Sequence, residues 1–242
     1  GVRLDPADTL APMLSRKLRR DDGTQACVVN LSIPGFTLEN QWAVLQRDGE
    51  RAVPKVVVLQ IWQNSAFRYR VIGDSLYNFG PLLVDEGVPN PFALPSRTNR
   101  WMFEQSKTWR MLIESSANAM TPGRASERFR EVIPTLNALH RWVSERDAKL
   151  VLAYATPLGR AWEARTRRDR DDFAVIHEWA EEKRVAGIWF GDILSTQPVE
   201  TVRLDTCCHL NSKGMALVGE AMEVVLQPML DELTNPSTSS VE

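Results

Sequence analysis

Four short apolar runs constrain this chain more than any other feature: Ala26–Leu31, Lys55–Trp62, Lys149–Ala155 and Val185–Phe190. Three of them carry β-branched clusters, without the in–out alternation of a half-exposed strand. A strand apolar on successive residues has to be covered on both faces. Parallel sheets flanked by crossover helices provide that cover.

Helical stripes lie between and beyond these runs. Asp5-Pro6 reads as an N-cap followed by Pro at the first helical position, and Leu10, Met13, Leu14 and Leu18 follow at helical spacing. Phe129, Val132, Ile133, Leu136, Leu139, Trp142 and Val143 form a long stripe with a kink expected at Pro134. Phe173, Ile176, Trp179 and Ala180 form another. The last helix begins near Asn211 or Ser212 and runs through Val218, Met222, Val225, Leu226 and Met229.

Strand–helix alternation predicts a three-layer α/β/α domain around a flavodoxin-like parallel sheet. Residues 65–100 break the rhythm. They carry Pro81, Pro89, Pro91 and Pro95 and read as an inserted loop and hairpin region. One domain over residues 1–233 is expected, with a polar flexible tail over 234–242.

Of 242 residues, 43% are hydrophobic and 25% charged, which excludes wholesale disorder. Lys plus Arg is 29 and Asp plus Glu is 31, so the net charge of −2 gives no electrostatic reason to expect nucleic acid. No apolar run reaches the roughly 20 residues that span a bilayer. Three cysteines cannot staple a fold of this size. Compartment is not legible.

In open α/β sheets ligands bind beyond the carboxyl ends of the strands. After the first run comes Asn30-Leu31-Ser32-Ile33-Pro34-Gly35; after the second, Gln63-Asn64-Ser65; before the last helix, Asp205-Thr206-Cys207-Cys208-His209. Acyl transfer at an ester needs a base for a hydroxyl nucleophile and N–H donors for the oxyanion. His209 fits the base and Asp205 its orienting partner. The Gly35 backbone N–H and the Asn64 side-chain amide fit the donors.

In order and spacing these segments resemble the SGNH hydrolases of the GDSL esterase group. Asn30 to Gln41 (NLSIPGFTLENQ) resembles that family's Gly block. Val56 to Ser65 (VVVLQIWQNS) resembles its Gly-x-Asn-Asp block, and Asp205 to Gly214 (DTCCHLNSKG) its Asp-x-x-His block. The resemblance implies ester hydrolysis through a Ser acyl-enzyme, a carbohydrate, lipid or other small-molecule ester as substrate, and no cofactor or metal. It leaves two alternatives open: transfer of an acyl group, often acetyl, to a sugar hydroxyl, and a non-catalytic ligand-binding remnant.

The chain departs from the family in three places. Ser65 stands where the third block has Asp. Asp205 precedes His209 by four positions, one more than the family pattern. Nothing before Ala26 resembles the Gly-Asp-Ser block that carries the nucleophile, so the resemblance implies a fragment whose nucleophilic Ser lies upstream of Gly1. Gly73-Asp74-Ser75-Leu76 spells that block literally but in the wrong order, after an alternating run (Phe67–Ile72) and before Asn78, Gly80 and Pro81, which would break a following helix. Ser75 is therefore read as a turn residue.

Several residues have plainer readings. His140 and His177 sit within helical patterns, at a surface or boundary. Cys207 and Cys208 beside Asp205 and His209 suggest a metal, but a structural zinc site needs a second ligand pair, and none exists. Cys27 is expected to fill core space in its strand. The Arg165–Arg170 run is followed closely by acidic residues and reads as a solvated helix start.

Overall fold

In a computed structural model the chain is described over residues 4–20, 22–32, 36–66, 69–72, 75–78, 84–85, 88–90, 92–119, 125–155, 170–171, 173–205 and 209–234. The strands are β1 (Val56–Ile61), β2 (Tyr69–Ile72), β3 (Ser75–Asn78), β4 (Val84–Asp85), β5 (Val88–Pro89), β6 (Lys149–Tyr154) and β7 (Ala186–Trp189). The helices are α1 (Leu10–Lys17), α2 (Leu38–Ala52), α3 (Ser96–Gln105), α4 (Lys107–Ala119), α5 (Ala125–Ser144), α6 (Ala174–Glu182), α7 (Phe190–Leu194), α8 (Val199–Val202) and α9 (Ser212–Thr234).

Strands β1, β6 and β7 form one parallel sheet in that order. Successive residues of each strand serve opposite faces, and both faces are apolar, as their uniform composition requires. Leu59, Ile61, Leu150, Leu152 and Tyr154 pack under α2, α5 and α6, against Leu38, Leu45, Phe129, Leu136, Leu139, Ile176 and Trp179. Val151, Ala153 and Ile188 face α1 and α9, against Leu14, Val218, Met222 and Leu226. Each fully buried Leu contributes roughly 2 kcal/mol by leaving water. The result is the three-layer, flavodoxin-like α/β arrangement that the apolar runs predict.

The first apolar run is a correction. Ala26–Leu31 makes no ladder; only Gln25 bridges to Arg19, and the Ala26 N–H donates to the Leu18 carbonyl. Ala26 is buried and Leu31 packs against the first core, but Cys27 is exposed rather than core filler, and Val29 is exposed too. Apolar composition makes a segment strand-competent, but a strand also needs a neighbouring backbone to bond to.

The outer edge of β1 has no strand partner among the described residues. The Lys149 N–H donates to the Lys55 carbonyl and the Ala155 N–H to the Ile61 carbonyl, so odd-numbered residues serve β6. The backbone groups of Val56, Val58 and Gln60 therefore face outward. The Gln41 side chain donates to the Gln60 carbonyl (3.3 Å), and the next outward N–H, of Trp62, donates to Ser65 Oγ (2.9 Å). The carboxyl end of the edge is thus capped by side chains.

Helices α2, α3 and α4 were not legible as periodic stripes. Thr37 opens α2 with a reciprocal cap: its Oγ1 accepts from the Asn40 N–H, and its own N–H donates to Asn40 Oδ1. Helices α3 and α4 share a small core of Val88, Phe103, Ile113 and Trp109, pinned by the Trp109 indole N–H donating to Asn99 Oδ1 (3.1 Å). The Pro-rich stretch forms two antiparallel pairs, β2 with β3 and β4 with β5, before α3 begins at Ser96. Asp5 caps a 3₁₀ turn over Pro6–Asp8 rather than opening α1 directly. Pro134 is accommodated inside α5. Among the described residues no helix is long and apolar enough to cross a membrane.

Candidate active site

Between α8 and α9 the chain makes a closed loop. Arg203 and Leu210 form an antiparallel bridge at its neck, the Asn211 N–H donates to the Val202 carbonyl (3.0 Å), and the Leu204 N–H donates to the His209 carbonyl (2.7 Å). Asp205 follows Leu204 directly, so this closure brings it beside His209. One Asp205 oxygen lies 2.5 Å from His209 Nδ1, and the other accepts from the His209 backbone N–H at 3.4 Å. The four-residue spacing is absorbed by the Leu204–His209 bond. An ionised Asp205 accepts from Nδ1–H, which leaves Nε2 with its lone pair free to act as a base. The His209 side chain is 44% exposed and that of Asp205 28%, so solvent or a substrate can reach the imidazole.

Gly214 fixes how α9 leaves this loop. A Cβ there would meet the Val202 carbonyl oxygen at 2.4 Å, so backbone sits where any larger residue would place its side chain.

Asn64 lies in the 3₁₀ turn Gln63–Ala66 that follows β1. That turn is anchored from both sides: buried Ser65 accepts from the Trp62 N–H and returns its own N–H to the Trp62 carbonyl, while Ala66 enters the first core. The Asn64 backbone is thereby set at the carboxyl end of a parallel strand, where α/β folds bind ligands. Gly35, Cys207 and Cys208 lie outside the described residues. Ser75 is not the turn residue expected from the sequence: it is the first residue of β3, paired with Ile72 in the β2–β3 hairpin, and it is not at the carboxyl end of a parallel strand.

The other two histidines belong to helices. His140 on α5 is half-buried, edge-on to Trp179, and burial together with nearby Lys183 holds its imidazole pKa below the ordinary value. His177 on α6 lies 3.5 Å from Glu181 and edge-on to Trp189.

Sequence reasoning passed over one feature at the carboxyl ends of β6 and β7. Tyr154 and Trp189 face each other in register and stack at 4.0 Å, 9° from parallel. Gly187 allows it, because a Cβ there would meet the Tyr154 ring at 3.0 Å. The Arg170 guanidinium lies 5.1 Å from the Trp189 ring centre and pairs with Asp192. The Tyr154 hydroxyl is buried and finds no hydrogen-bond partner among the described residues; burial pushes its pKa well above that of an ordinary phenol. The signal in the sequence was that each residue stands one position before the end of an apolar run. Among the described residues no group of three His, Cys, Asp or Glu side chains is placed to hold a metal ion.

No family model matches the chain, and no curated protein matches it. Among solved structures it is similar to a carbohydrate acetylesterase family member from Sinorhizobium meliloti, at 14% identity and a TM-score of 0.51, over 94% of this chain and 89% of that one. At that identity the likeness carries the fold and nothing finer: this chain shares the α/β fold of that protein.

Proposed function

We propose that this chain carries the base half of an ester hydrolase that works through a Ser acyl-enzyme on carbohydrate or other small acyl esters. The observation that carries the proposal is the Asp205–His209 pair, with a carboxylate on Nδ1 and an accessible imidazole. In the proposed cycle, His209 Nε2 takes the proton of a serine hydroxyl as its oxygen attacks the ester carbonyl. The Asn64 carboxamide and the Gly35 N–H donate to the oxyanion. The tetrahedral intermediate then expels the alcohol, which receives the proton from His209. Water attacks the acyl-enzyme by the same route and releases the acid.

The nucleophile is assigned to a strand seated on the outer edge of β1. That edge supports the assignment: it is apolar on both faces, it is covered by helices on both sides, and its Val56 and Val58 groups face outward. Ser75 is passed over because it heads a strand of an antiparallel hairpin. The exposure of His209 favours water over a sugar hydroxyl as acyl acceptor, since acyl transfer requires that water be kept out. The name of the fold neighbour, a carbohydrate acetylesterase, agrees with an acetyl ester as substrate.

The test is hydrolysis of an activated acetyl ester by residues 1–242 and by a chain that carries a Gly-Asp-Ser strand ahead of Gly1. The short chain is expected to match its own His209→Ala variant. The longer one is expected to turn over and to lose about 10³-fold or more with His209→Ala. A longer chain that is inactive, or indifferent to His209→Ala, would refute the function. Turnover by 1–242 that survives Ser75→Ala but needs His209 would keep the class and refute the seat of the nucleophile.

A further inference from the structure

We infer that Asn211 is the positioning residue that holds Asp205 and His209 in register; the inference rests on the proposed role of His209. Among the described residues the loop between Arg203 and Leu210 has no helical or sheet ladder of its own beyond its one-residue bridge, and in sequence Thr206 to Cys208 stand between the two partners. One side chain just past its end reinforces the backbone bonds that close it. Asn211 Nδ2 donates to the Thr201 carbonyl (3.0 Å) and to the Arg203 carbonyl (3.2 Å), and its Oδ1 accepts from the Gly214 N–H (3.0 Å). Its backbone N–H donates to the Val202 carbonyl, and its carbonyl accepts from the Met215 N–H in the first turn of α9.

These five bonds tie α8, the loop's entrance and the start of α9 to a single residue. A carboxamide is suited to this position because it offers two N–H donors and an acceptor from one planar group. Both Nδ2 acceptors are main-chain carbonyls on the entry side. The Asn211 backbone directly continues the exit side through Leu210 and His209. Asn211 therefore sets the separation of the two loop ends, and with it the Leu204–His209 bond that carries Asp205 to Nδ1. It touches neither His209 nor any reacting atom, so its effect on chemistry passes through the tautomer and orientation of the imidazole.

The readout is the tautomer of His209, taken from imidazole nitrogen shifts of the ¹⁵N-labelled protein at about pH 9, where an ordinary imidazole is neutral. His140→Gln and His177→Gln assign the signals. In the wild type His209 is expected as the Nδ1–H form, the form Asp205 can accept from. Asn211→Ala removes all three side-chain bonds. Asn211→Asp keeps the size and the Gly214 acceptor but loses both donors, and it covers the case in which the alanine variant does not fold. Each is expected to shift His209 towards the Nε2–H form, and Asp205→Asn, which removes the carboxylate acceptor itself, is expected to do the same. Loss of melting temperature alone would not produce that shift. A folded Asn211 variant with His209 still in the Nδ1–H form would overturn the clamp and leave the proposed function standing. A wild-type His209 in the Nε2–H form would remove the Asp205–His209 pair, and both proposals with it.

Discussion

The two flanks of the proposed site are built in opposite ways. On the His209 side, a loop whose described residues lie outside helix and sheet ladder is fixed by hydrogen bonds that can be named one by one: Leu204 to His209, Asn211 to Val202, the imidazole to Asp205. On the β1 side, a regular strand with two covered faces has an outer edge that meets no other strand among the described residues. Apolar burial builds both sides of the sheet, but it is indifferent to direction along the chain. Placing one imidazole to within a few tenths of an ångström needs directional bonds, and the loop has them.

Breaking the His209 side at its chemistry should have the largest effect. In a chain that carries the nucleophile strand, Asp205→Asn is expected to lower kcat by about 10⁴-fold with little change in KM, because it favours the wrong tautomer without removing the ring. Steady-state kinetics on the acetyl ester decides this.

Proline substitutions probe the β1 side. Val57 N–H belongs to the ladder with β6, whereas Val58 N–H faces outward. In residues 1–242, Val57→Pro is expected to cost about 3 kcal/mol or more in urea unfolding, and Val58→Pro distinctly less. In the strand-bearing chain the two costs should converge, because Val58 then has a ladder partner. Equal costs in both chains would mean that no strand uses the edge.

Gly214→Ala tests how closely the loop is fitted to α9. The added Cβ is directed at the Val202 carbonyl oxygen, so a loss of about 1–3 kcal/mol is expected by thermal or urea unfolding. The smallest effect lies under the sheet, at Tyr154. Its hydroxyl is buried without a partner, so Tyr154→Phe should be neutral or stabilising by up to about 1 kcal/mol. Because burial raises the folded phenol's pKa, its stability contribution is full below the unfolded value of about 10 and is lost as pH rises above it. Unfolding free energy measured between pH 9 and 11 should therefore fall less steeply in Tyr154→Phe.

The same contrast explains what could be read from sequence. Strands β1, β6 and β7 were legible because residues such as Val56–Leu59 and Leu150–Ala153 are apolar on consecutive positions, which only a doubly covered strand tolerates. Ala26–Leu31 has similar composition and is not a sheet strand, because pairing depends on a neighbour that composition does not report. Helix α2 was passed over because Glu39, Gln41, Gln46, Arg47, Asp48, Gly49 and Glu50 dilute its apolar stripe; its signal was the Thr37–Asn40 cap, with Asn where Glu or Gln is usual. Asp205 and His209 were legible as residue types in order. Their pairing was expected from those types, but the way a four-residue spacing is absorbed was not legible, because it depends on loop-closing bonds between backbone groups that every residue has. Asn211 was visible as a candidate start of the last helix and as a near neighbour of His209; the positioning role inferred for it rests on its bonds to Thr201, Arg203 and Gly214.

The central claim is that the His209 loop and the Asn64 turn serve one ester. The most direct measurement is the separation of the His209 imidazole from the Asn64 carboxamide in a crystal structure of the protein. A nucleophile within hydrogen-bond reach of the base must also lie beside the oxyanion donors, so the expected separation is below about 12 Å, with both groups facing the same space beyond the carboxyl ends of β1 and β6. A longer separation, or side chains facing opposite layers of the sheet, would contradict the account.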